Sequence, residues 1–273
     1  MTVPTIAFIG GGNMARSLVG GLVAQGWDPA TIRVAEPVDP LREALARDFR
    51  VRTFAAAAEA VAGAHAWLFS VKPQAMRAVC ASLALRAQAE APLVVSVAAG
   101  ITCAQLDRWL GGGLGVVRAM PNTPALLGAG ATGLHANAHV DADGRSLSER
   151  LLSASGPITW IDDEAQMDAV TALSGSGPAY VFLLAEAMID AGEAEGLPRD
   201  KARALALQTL LGAARMLVES GESPRGLRER VTSPNGTTQA ALDSFERDGF
   251  RDIVGRAIHA ARVRGAELSA MND

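Results

Sequence analysis

The sequence predicts an α/β protein, with an N-terminal domain built on a parallel β-sheet followed by an all-α C-terminal domain. From Thr5 to about Ile161, short runs of β-branched and aliphatic residues alternate with longer stretches rich in Ala, Leu and Arg. After Asp162 the strand signal stops, and helical patterns separated by turns take its place. The 273 residues suit two domains of ordinary size, which we place at 1–162 and 163–273.

Six candidate strands lie in the first domain, and most are apolar throughout, as parallel strands covered on both faces should be. In chain order they span residues 5–9, 31–35, 66–71, 93–97, 114–119 and 157–161. The second domain is predicted to contain helices over 165–173, 179–195, 198–220, and from 237 to the C-terminus with a break near Gly249. Gly196 ends one of these helices, and Pro198 suits the first turn of the next.

Composition excludes several classes of protein. Hydrophobic residues make up 49% of the chain and charged residues 20%, which excludes extensive disorder. A formal net charge of -4 makes nucleic acid an unfavourable partner. Cys80 and Cys103 form no CxxC motif, so neither a disulfide framework nor a cysteine zinc site is indicated. The start lacks a basic leader region, and no stretch reaches about 18 uninterrupted apolar residues, so we expect a soluble cytoplasmic protein with no membrane partner.

A glycine-rich turn follows the first predicted strand. Gly10, Gly12 and Ala15 have the G-x-G-x-x-G/A register at the head of repeated strand–helix units. Gly10 permits a tight turn, Gly12 lets a pyrophosphate approach the backbone, and the next helix points its first amides at the phosphates. This context favours a Rossmann-type dinucleotide site over a purely structural turn. Glu36 stands where an acid binds the ribose, although a solvated loop acid is the alternative.

Histidine spacing raises the question of a metal site. His135 and His139 have an H-x3-H spacing that could place both on one face of a helix. The segment 129–137 is interrupted by glycine and is not predicted to be helical, and no third ligand is evident. We therefore predict no metal site and no catalytic histidine.

Six blocks of the sequence resemble one known family. They are Ile9-Gly10-Gly11-Gly12-Asn13-Met14, Val71-Lys72-Pro73, Ser96-Val97-Ala98-Ala99-Gly100, Arg118-Ala119-Met120-Pro121-Asn122-Thr123-Pro124, Ser174-Gly175-Ser176-Gly177-Pro178-Ala179-Tyr180 and Ser233-Pro234-Asn235-Gly236-Thr237-Thr238. In order and spacing they are similar to pyrroline-5-carboxylate reductase over nearly the whole chain. The resemblance implies a Rossmann domain, a helical dimerisation domain, and NAD(P)H-dependent reduction of 1-pyrroline-5-carboxylate to L-proline, the last step of proline biosynthesis.

The resemblance also assigns site residues and an assembly. It implies that NADPH or NADH is contacted by Ile9, Gly10, Gly11, Gly12, Asn13, Met14, Val71, Lys72, Pro73, Val97, Ala98, Ala99, Met120, Pro121 and Asn122. We expect Glu36 to bind the cofactor with them. For the substrate it implies Glu164, Ser233, Gly236, Thr237 and Thr238, with Thr238 as the catalytic residue near the ring nitrogen. A homodimer or a higher homo-oligomer of dimers is expected, and the apolar helix over 179–189 independently favours such association.

The loop 233–238 has suitable chemistry of its own. It precedes a helix predicted to begin near Ala240, and such a turn presents unpaired backbone N–H groups and hydroxyls that suit a substrate carboxylate.

Two residues depart from the family's pattern. Asn235 replaces a glycine, but Asn tolerates positive φ. Glu36 leaves the choice between NADH and NADPH open.

Two other functions are compatible with a dinucleotide fold. A β-hydroxyacid dehydrogenase-like oxidoreductase would need a lysine in the helix over 179–195, which has none. A non-catalytic dinucleotide-sensing protein would have no need of the substrate-like loop 233–238. A cyclic imine, by contrast, carries its own basic nitrogen and requires no alcohol-deprotonating base.

Overall fold

The computed structural model describes residues 4–271 and divides the chain into two compact units. The first unit runs to Ser176 and includes the end of the chain from Ala261 onward, and the second is Gly177–Ala260. The division by compactness therefore differs from the predicted boundary at residue 162, because the segment 163–176 belongs to the first unit. As a division of function, the boundary near residue 162 stays a prediction.

The described strands form one sheet in the first unit, in the order β3-β2-β1-β4-β5-β6-β7-β8. They are β1 (Ile6–Ile9), β2 (Ile32–Ala35), β3 (Arg52–Phe54), β4 (Ala66–Phe69), β5 (Leu93–Ser96), β6 (Val116–Met120), β7 (Thr132–Ala136) and β8 (Ile158–Trp160). Strands β1 to β6 are parallel, which confirms the predicted α/β class. The strand order reverses between β1 and β4, and in such sheets ligands bind at the carboxyl ends of the strands beside this switch point.

Two strands have no counterpart in the sequence-based prediction. β3 has three residues with an exposed first side chain, so it lacks the apolar run of a buried strand. β7 runs antiparallel to β6 and contains Gly133. A Cβ on Gly133 would lie 2.5 Å from Cγ1 of Val170, so close packing requires the glycine. The same glycine weakens the strand signal in the sequence.

Helices of the first unit cover both faces of the sheet. They are α1 (Asn13–Ala24), α2 (Asp39–Phe49), α3 (Ala57–Val61), α4 (Pro73–Glu90), α5 (Cys103–Trp109), α6 (Ala142–Leu152) and α7 (Met167–Val170), and α7 continues into a π-helical turn, Thr171–Gly175. One apolar cluster forms around Trp67 and Met76, and a second forms around Phe8 and Leu18 on the opposite face. Burial of these side chains fixes the strand ends from which the site is built.

The second unit is helical, as predicted. It contains α8 (Gly177–Ala194), α9 (Arg199–Glu219), α10 (Pro224–Arg230) and α11 (Thr237–Arg247), and α12 (Phe250–Met271) begins in it. The short α10 was not expected, because its Arg-rich sequence has no apolar face. α11 begins at Thr237, where the predicted helical span from 237 begins, and not at the later start near Ala240 that was expected for the helix after the loop. Gly249, at φ +72°, makes the predicted break between α11 and α12.

The second unit has almost no core of its own. Its buried apolar residues are Ala185, Ala202, Ala206 and Leu227. α8 and α9 approach closely where Gly192 faces Ala202, and a Cβ on Gly192 would lie 3.2 Å from that of Ala202. Sixteen large apolar side chains of this unit remain exposed. Such a small core is too little to stabilise an independent domain of this size.

Candidate active site

The glycine-rich turn connects β1 to α1. Gly10 has φ +100°, and its N–H donates to the carbonyl oxygen of Ala35 at 2.9 Å. A Cβ on Gly10 would lie 2.9 Å from the backbone of Ser70, while the Ser70 hydroxyl donates to the Gly10 carbonyl at 2.8 Å. Only glycine fits this conformation and this spacing.

Gly12 differs from Gly10 because the space in front of it is open. It is the N-cap of α1 with φ -69°, which any residue can adopt, and a Cβ placed there would meet nothing within 4 Å. No side chain caps the first amides of α1, which begins at Asn13. An open surface before uncapped helix amides is the form of a phosphate site. The turn therefore fits the pyrophosphate of a dinucleotide.

Glu36 lies directly beside this turn. Its Oε2 accepts the Gly11 N–H at 2.8 Å, and its Oε1 accepts the Val38 N–H at 2.9 Å. The residue is only 7% exposed, so the alternative of a solvated loop acid does not describe it. A Cβ on Gly11 would lie 2.9 Å from Cβ of Glu36 and 2.7 Å from Leu45, which explains the third glycine of the turn. The carboxylate stands at the carboxyl end of β2, where ribose acids of dinucleotide sites occur.

Three further loops leave the same edge of the sheet. Val71, Lys72 and Pro73 follow β4, and Pro73 begins α4. Cγ1 of Val71 would lie 3.1 Å from a Cβ on Gly10, which places this loop against the glycine turn. The segment Val97, Ala98 and Ala99 follows β5, and Met120, Pro121 and Asn122 end β6 and follow it. Parallel pairing of β1, β4, β5 and β6 brings these cofactor candidates to one edge.

The side chain of Asn122 has protein partners at both ends. Its Oδ1 accepts the Ala131 N–H at 2.9 Å, and its Nδ2 donates to the Ser174 carbonyl at 3.0 Å. Met120 packs beside it, since a Cβ on Gly175 would lie 2.5 Å from Cε of Met120. The Met120–Asn122 segment is thus fixed against the π-helical turn, and the small residues of that turn allow this close approach.

Glu164 is held by groups of the first unit. Its Oε1 accepts the Cys103 N–H at 2.7 Å and lies 3.4 Å from Nη1 of Arg118. Nη2 of Arg118 lies 3.2 Å from Oδ1 of Asp168, and Arg118 is 4% exposed. Sequence reasoning assigned Glu164 to the substrate but missed the roles of Arg118 and Asp168. An arginine within an otherwise apolar strand was the available signal, because a buried guanidinium requires carboxylate partners.

Metal-ligand side chains meet at one place in the described part of the chain. Ligand atoms of Cys103, His135 and Glu164 lie within 4.8 Å of one another, and His139 does not join them. Each has a protein partner: the Cys103 thiol contacts the Val116 carbonyl, and Nδ1 of His135 lies 2.9 Å from the Ile161 carbonyl. Burial, reinforced by the Glu164 charge, raises the pKa of Cys103 to about 12, so its thiol is protonated and unreactive at neutral pH.

The predicted substrate loop lies in the second unit, before α11. Asn235 has φ +57°, so it adopts the left-handed conformation expected where the family has glycine. The Gly236 N–H donates to the Ser233 carbonyl at 3.0 Å and is therefore committed to the turn. Gly236 is the N-cap of α11, and no side chain caps the amides of Thr237 and Thr238 that follow. Uncapped amides at a helix start can bind an anion, so this position has the chemistry that the predicted carboxylate contact needs.

Comparison with known proteins gives matches along nearly the whole chain. Residues 164–268 match the family described as pyrroline-5-carboxylate reductase dimerisation, and residues 5–100 match NADP oxidoreductase coenzyme F420-dependent. A pyrroline-5-carboxylate reductase of Pseudomonas aeruginosa is 56% identical, with 98% of each chain covered. The solved structure of one from Coxiella burnetii has a TM-score of 0.95 at 41% identity, covering 98% of this chain and 99% of that one. A Plasmodium falciparum pyrroline carboxylate reductase with NADP bound has a TM-score of 0.85 at 27% identity, covering 98% and 99%.

Proposed function

The chain belongs to the pyrroline-5-carboxylate reductase family, and from that premise we propose how its residues carry out the NAD(P)H-dependent reduction of 1-pyrroline-5-carboxylate to L-proline. The observation that carries the proposal is the pair of anion-binding helix starts, at α1 for a pyrophosphate and at α11 for a carboxylate. Each stands in a sequence block that the family shares.

The cofactor is NADH or NADPH, and it supplies a hydride when bound. We assign its pyrophosphate to Gly10–Asn13, its ribose to Glu36, and its nicotinamide half to the loops after β4, β5 and β6. The residues at these positions hold and orient the dinucleotide. Because Asn122 already bonds Ala131 and Ser174, we assign it a positioning role for the loop that it begins.

For the substrate, we assign the carboxylate to the amides of Thr237 and Thr238. Gly236 contributes the N-cap backbone, not its N–H, because that N–H bonds the Ser233 carbonyl. The Thr238 hydroxyl is then the group we assign to the ring nitrogen. Glu164 pairs with Arg118, and this ion pair supports a structural role for Glu164 in place of direct contact with the substrate.

The reaction suits a site without a strong base. The imine nitrogen is itself basic, and its protonated form accepts a hydride at the imine carbon, so the protein has to position the ring and exclude competing reactions. α8 (Gly177–Ala194) contains neither lysine nor histidine. A β-hydroxyacid dehydrogenase would need such a base, so this helix disfavours that alternative.

Replacing Thr238 tests the substrate assignment. Thr238→Val keeps the β-branched shape but removes the hydroxyl, and we expect kcat/KM for the imine to fall roughly ten- to a hundredfold, for a loss of about 1.5–3 kcal/mol of transition-state binding. Steady-state kinetics with NADH measure this change, and fluorescence titration should give an unchanged NADH affinity. Thr237→Val is the matched control, because only the backbone amide of Thr237 is assigned a role. If kcat/KM of the Thr238→Val enzyme stayed within about twofold of the wild-type value, the hydroxyl would have only a helix-capping role.

The match to the family's dimerisation domain covers residues 164–268 and so includes the whole second unit, and we propose a homodimer or a homo-oligomer of dimers. Its helices α8, α10, α11 and α12 line an open groove of about 1230 Å³. Apolar side chains dominate the groove lining, including Leu184, Phe245 and Val254. A second copy of the chain supplies complementary apolar surface, as in obligate dimers.

Light scattering tests this assembly. The wild type is expected to have at least twice the monomer mass, and Phe182→Glu should shift the mass toward the monomer, because a charge replaces a 61% exposed apolar side chain of α8. Leu85→Glu is the control: Leu85 is 92% exposed on α4 of the first unit and should leave the mass unchanged. A monomeric wild type at micromolar concentration would contradict the proposal.

One helical run, Glu164–Ala194, is long and apolar enough to cross a membrane by length and composition alone. Two observations favour protein contacts for it instead. Glu164 and Asp168, at its start, pair with the buried Arg118, and the run lies within the match to the dimerisation family. We therefore propose a cytoplasmic enzyme whose partners are its small-molecule ligands and its own copies.

We propose that the enzyme prefers NADH. Glu36 is fixed by two backbone amides at the ribose end of the site. A carboxylate about 4–5 Å from a 2′-phosphate repels it by a few kcal/mol at an effective dielectric near 20, before screening by salt. The ribose hydroxyls of NADH, in contrast, can donate hydrogen bonds to it.

A further inference from the structure

A basic side chain stands at the ribose end of the site without an assigned role. Nη1 of Arg42 donates to the Glu36 carbonyl at 2.9 Å and lies 3.4 Å from the Pro37 carbonyl. Both carbonyls directly follow β2, so they hold the guanidinium at the carboxyl end of that strand. Dinucleotide sites that accept a 2′-phosphate use an arginine in this region.

The same guanidinium is already paired with a carboxylate. Nη2 of Arg42 donates to Oδ1 of Asp39 at 2.6 Å. Asp39 is 71% exposed and Arg42 is 21% exposed at the side chain, so the pair stands at the surface, where a ligand can reach it. Together with the fixed Glu36, the cluster contains two carboxylates and one guanidinium.

This excess of negative charge would affect the binding of NADH and NADPH differently. A 2′-phosphate would meet an excess of negative charge and an arginine whose donors are partly occupied. A ribose 2′-hydroxyl is neutral and needs only the Glu36 carboxylate. The two carbonyl contacts of Arg42 do not depend on Asp39, so the guanidinium would stay at the end of β2 if the Asp39 charge were removed.

We propose that Asp39 is a specificity-determining residue for the cofactor: by pairing with Arg42, it keeps that guanidinium from a 2′-phosphate. The preference for NADH then has two sources, the fixed carboxylate of Glu36 and the occupied state of Arg42. This inference rests on the proposed dinucleotide site. Loss of the Asp39 charge would therefore make Arg42 available to the 2′-phosphate of NADPH, and no new basic residue would be needed.

Binding without turnover tests the inference. NADH and NADPH are titrated by nicotinamide fluorescence against the wild type, Asp39→Asn, Arg42→Met and the double variant. We expect Asp39→Asn to tighten NADPH binding about three- to tenfold, the scale of an exposed charge pair, and to leave NADH within about twofold. The gain should shrink at high salt. In the Arg42→Met background, Asp39→Asn should give no such gain.

Asp48→Asn is the matched control. It removes the same charge from the opposite end of α2, where Asp48 pairs with Arg16 and Arg47, and should leave both affinities unchanged. Unchanged NADPH affinity in an Asp39→Asn protein that binds NADH would overturn this inference alone. An equal gain in the Arg42→Met background would also overturn it, because Asp39 would then act by simple repulsion. A wild type that binds neither dinucleotide would overturn the proposed function as well.

Discussion

Gly12→Val should weaken binding of both NADH and NADPH by at least about a hundredfold while leaving the fold intact. The backbone of Gly12 has φ -69°, which valine can adopt, and apart from its chain neighbours no atom of the described residues lies within 4 Å of a Cβ placed there. The isopropyl group would therefore fill the space that the pyrophosphate needs, and it would keep the phosphates from the first amides of α1. Fluorescence titration measures both affinities, and urea unfolding measures stability, which should change by less than about 1 kcal/mol.

Gly10→Ala is the contrasting variant. At φ +100°, with a Cβ 2.9 Å from the Ser70 backbone, alanine strains the turn itself, so the loss should occur in the free energy of unfolding. If Gly12→Val bound dinucleotide as well as wild type, the phosphates could not lie before α1. If Gly10→Ala were as stable as wild type, the turn would not be constrained as described.

Arg118→Met should destabilise the first unit by about 2–4 kcal/mol. The substitution keeps a long apolar side chain but leaves the carboxylates of Glu164 and Asp168 without their guanidinium partner. Those carboxylates are 24% and 19% exposed, so partial solvation reduces the cost from that of a fully buried broken pair. Chemical denaturation measures the effect as a lower midpoint at unchanged slope.

A triple variant separates the ion pairs from simple packing. Arg118→Met combined with Glu164→Gln and Asp168→Asn removes the unpaired charges and should recover part of the lost stability. The prediction is wrong if Arg118→Met alone unfolds at the wild-type midpoint. It is also wrong if neutralising both carboxylates recovers nothing, since shape and not charge would then account for the loss.

Local patterns in the sequence predicted much of the fold. All six predicted strands are present. Five of them, β1, β2, β4, β5 and β6, are parallel and mostly buried, so their sequences are largely apolar, whereas β8 at the sheet edge is only partly buried. Strand β7 was missed because Gly133 weakens its strand signal. Close contact with Val170, which is distant in the chain, requires that glycine. α11 begins at Thr237 and not near Ala240, because Gly236 is its N-cap and two threonines with low helix propensity occupy its first turn.

The candidate site likewise contains features that the local sequence determines and features that depend on tertiary packing. The glycine turn and the left-handed Asn235 follow from local backbone chemistry and were predictable, and the position of Glu36 after the second strand of a G-x-G-x-x-A unit predicted its place beside that turn. The partners of Glu164, Asn122 and Arg42 depend on side chains that meet through tertiary packing. No spacing in the sequence brings Arg118 to Glu164 or tells whether Arg42 is paired.

The bonds that Glu36 and Ser70 make to the glycine turn have a consequence for the entropy of binding. Three successive glycines would be highly mobile in an unconstrained loop, and a ligand that ordered them would bind more weakly. Here the Gly11 N–H is held by Glu36 and the Gly10 carbonyl by Ser70. Most of that backbone freedom is therefore lost during folding, and a dinucleotide bound as we propose would meet a preorganised turn.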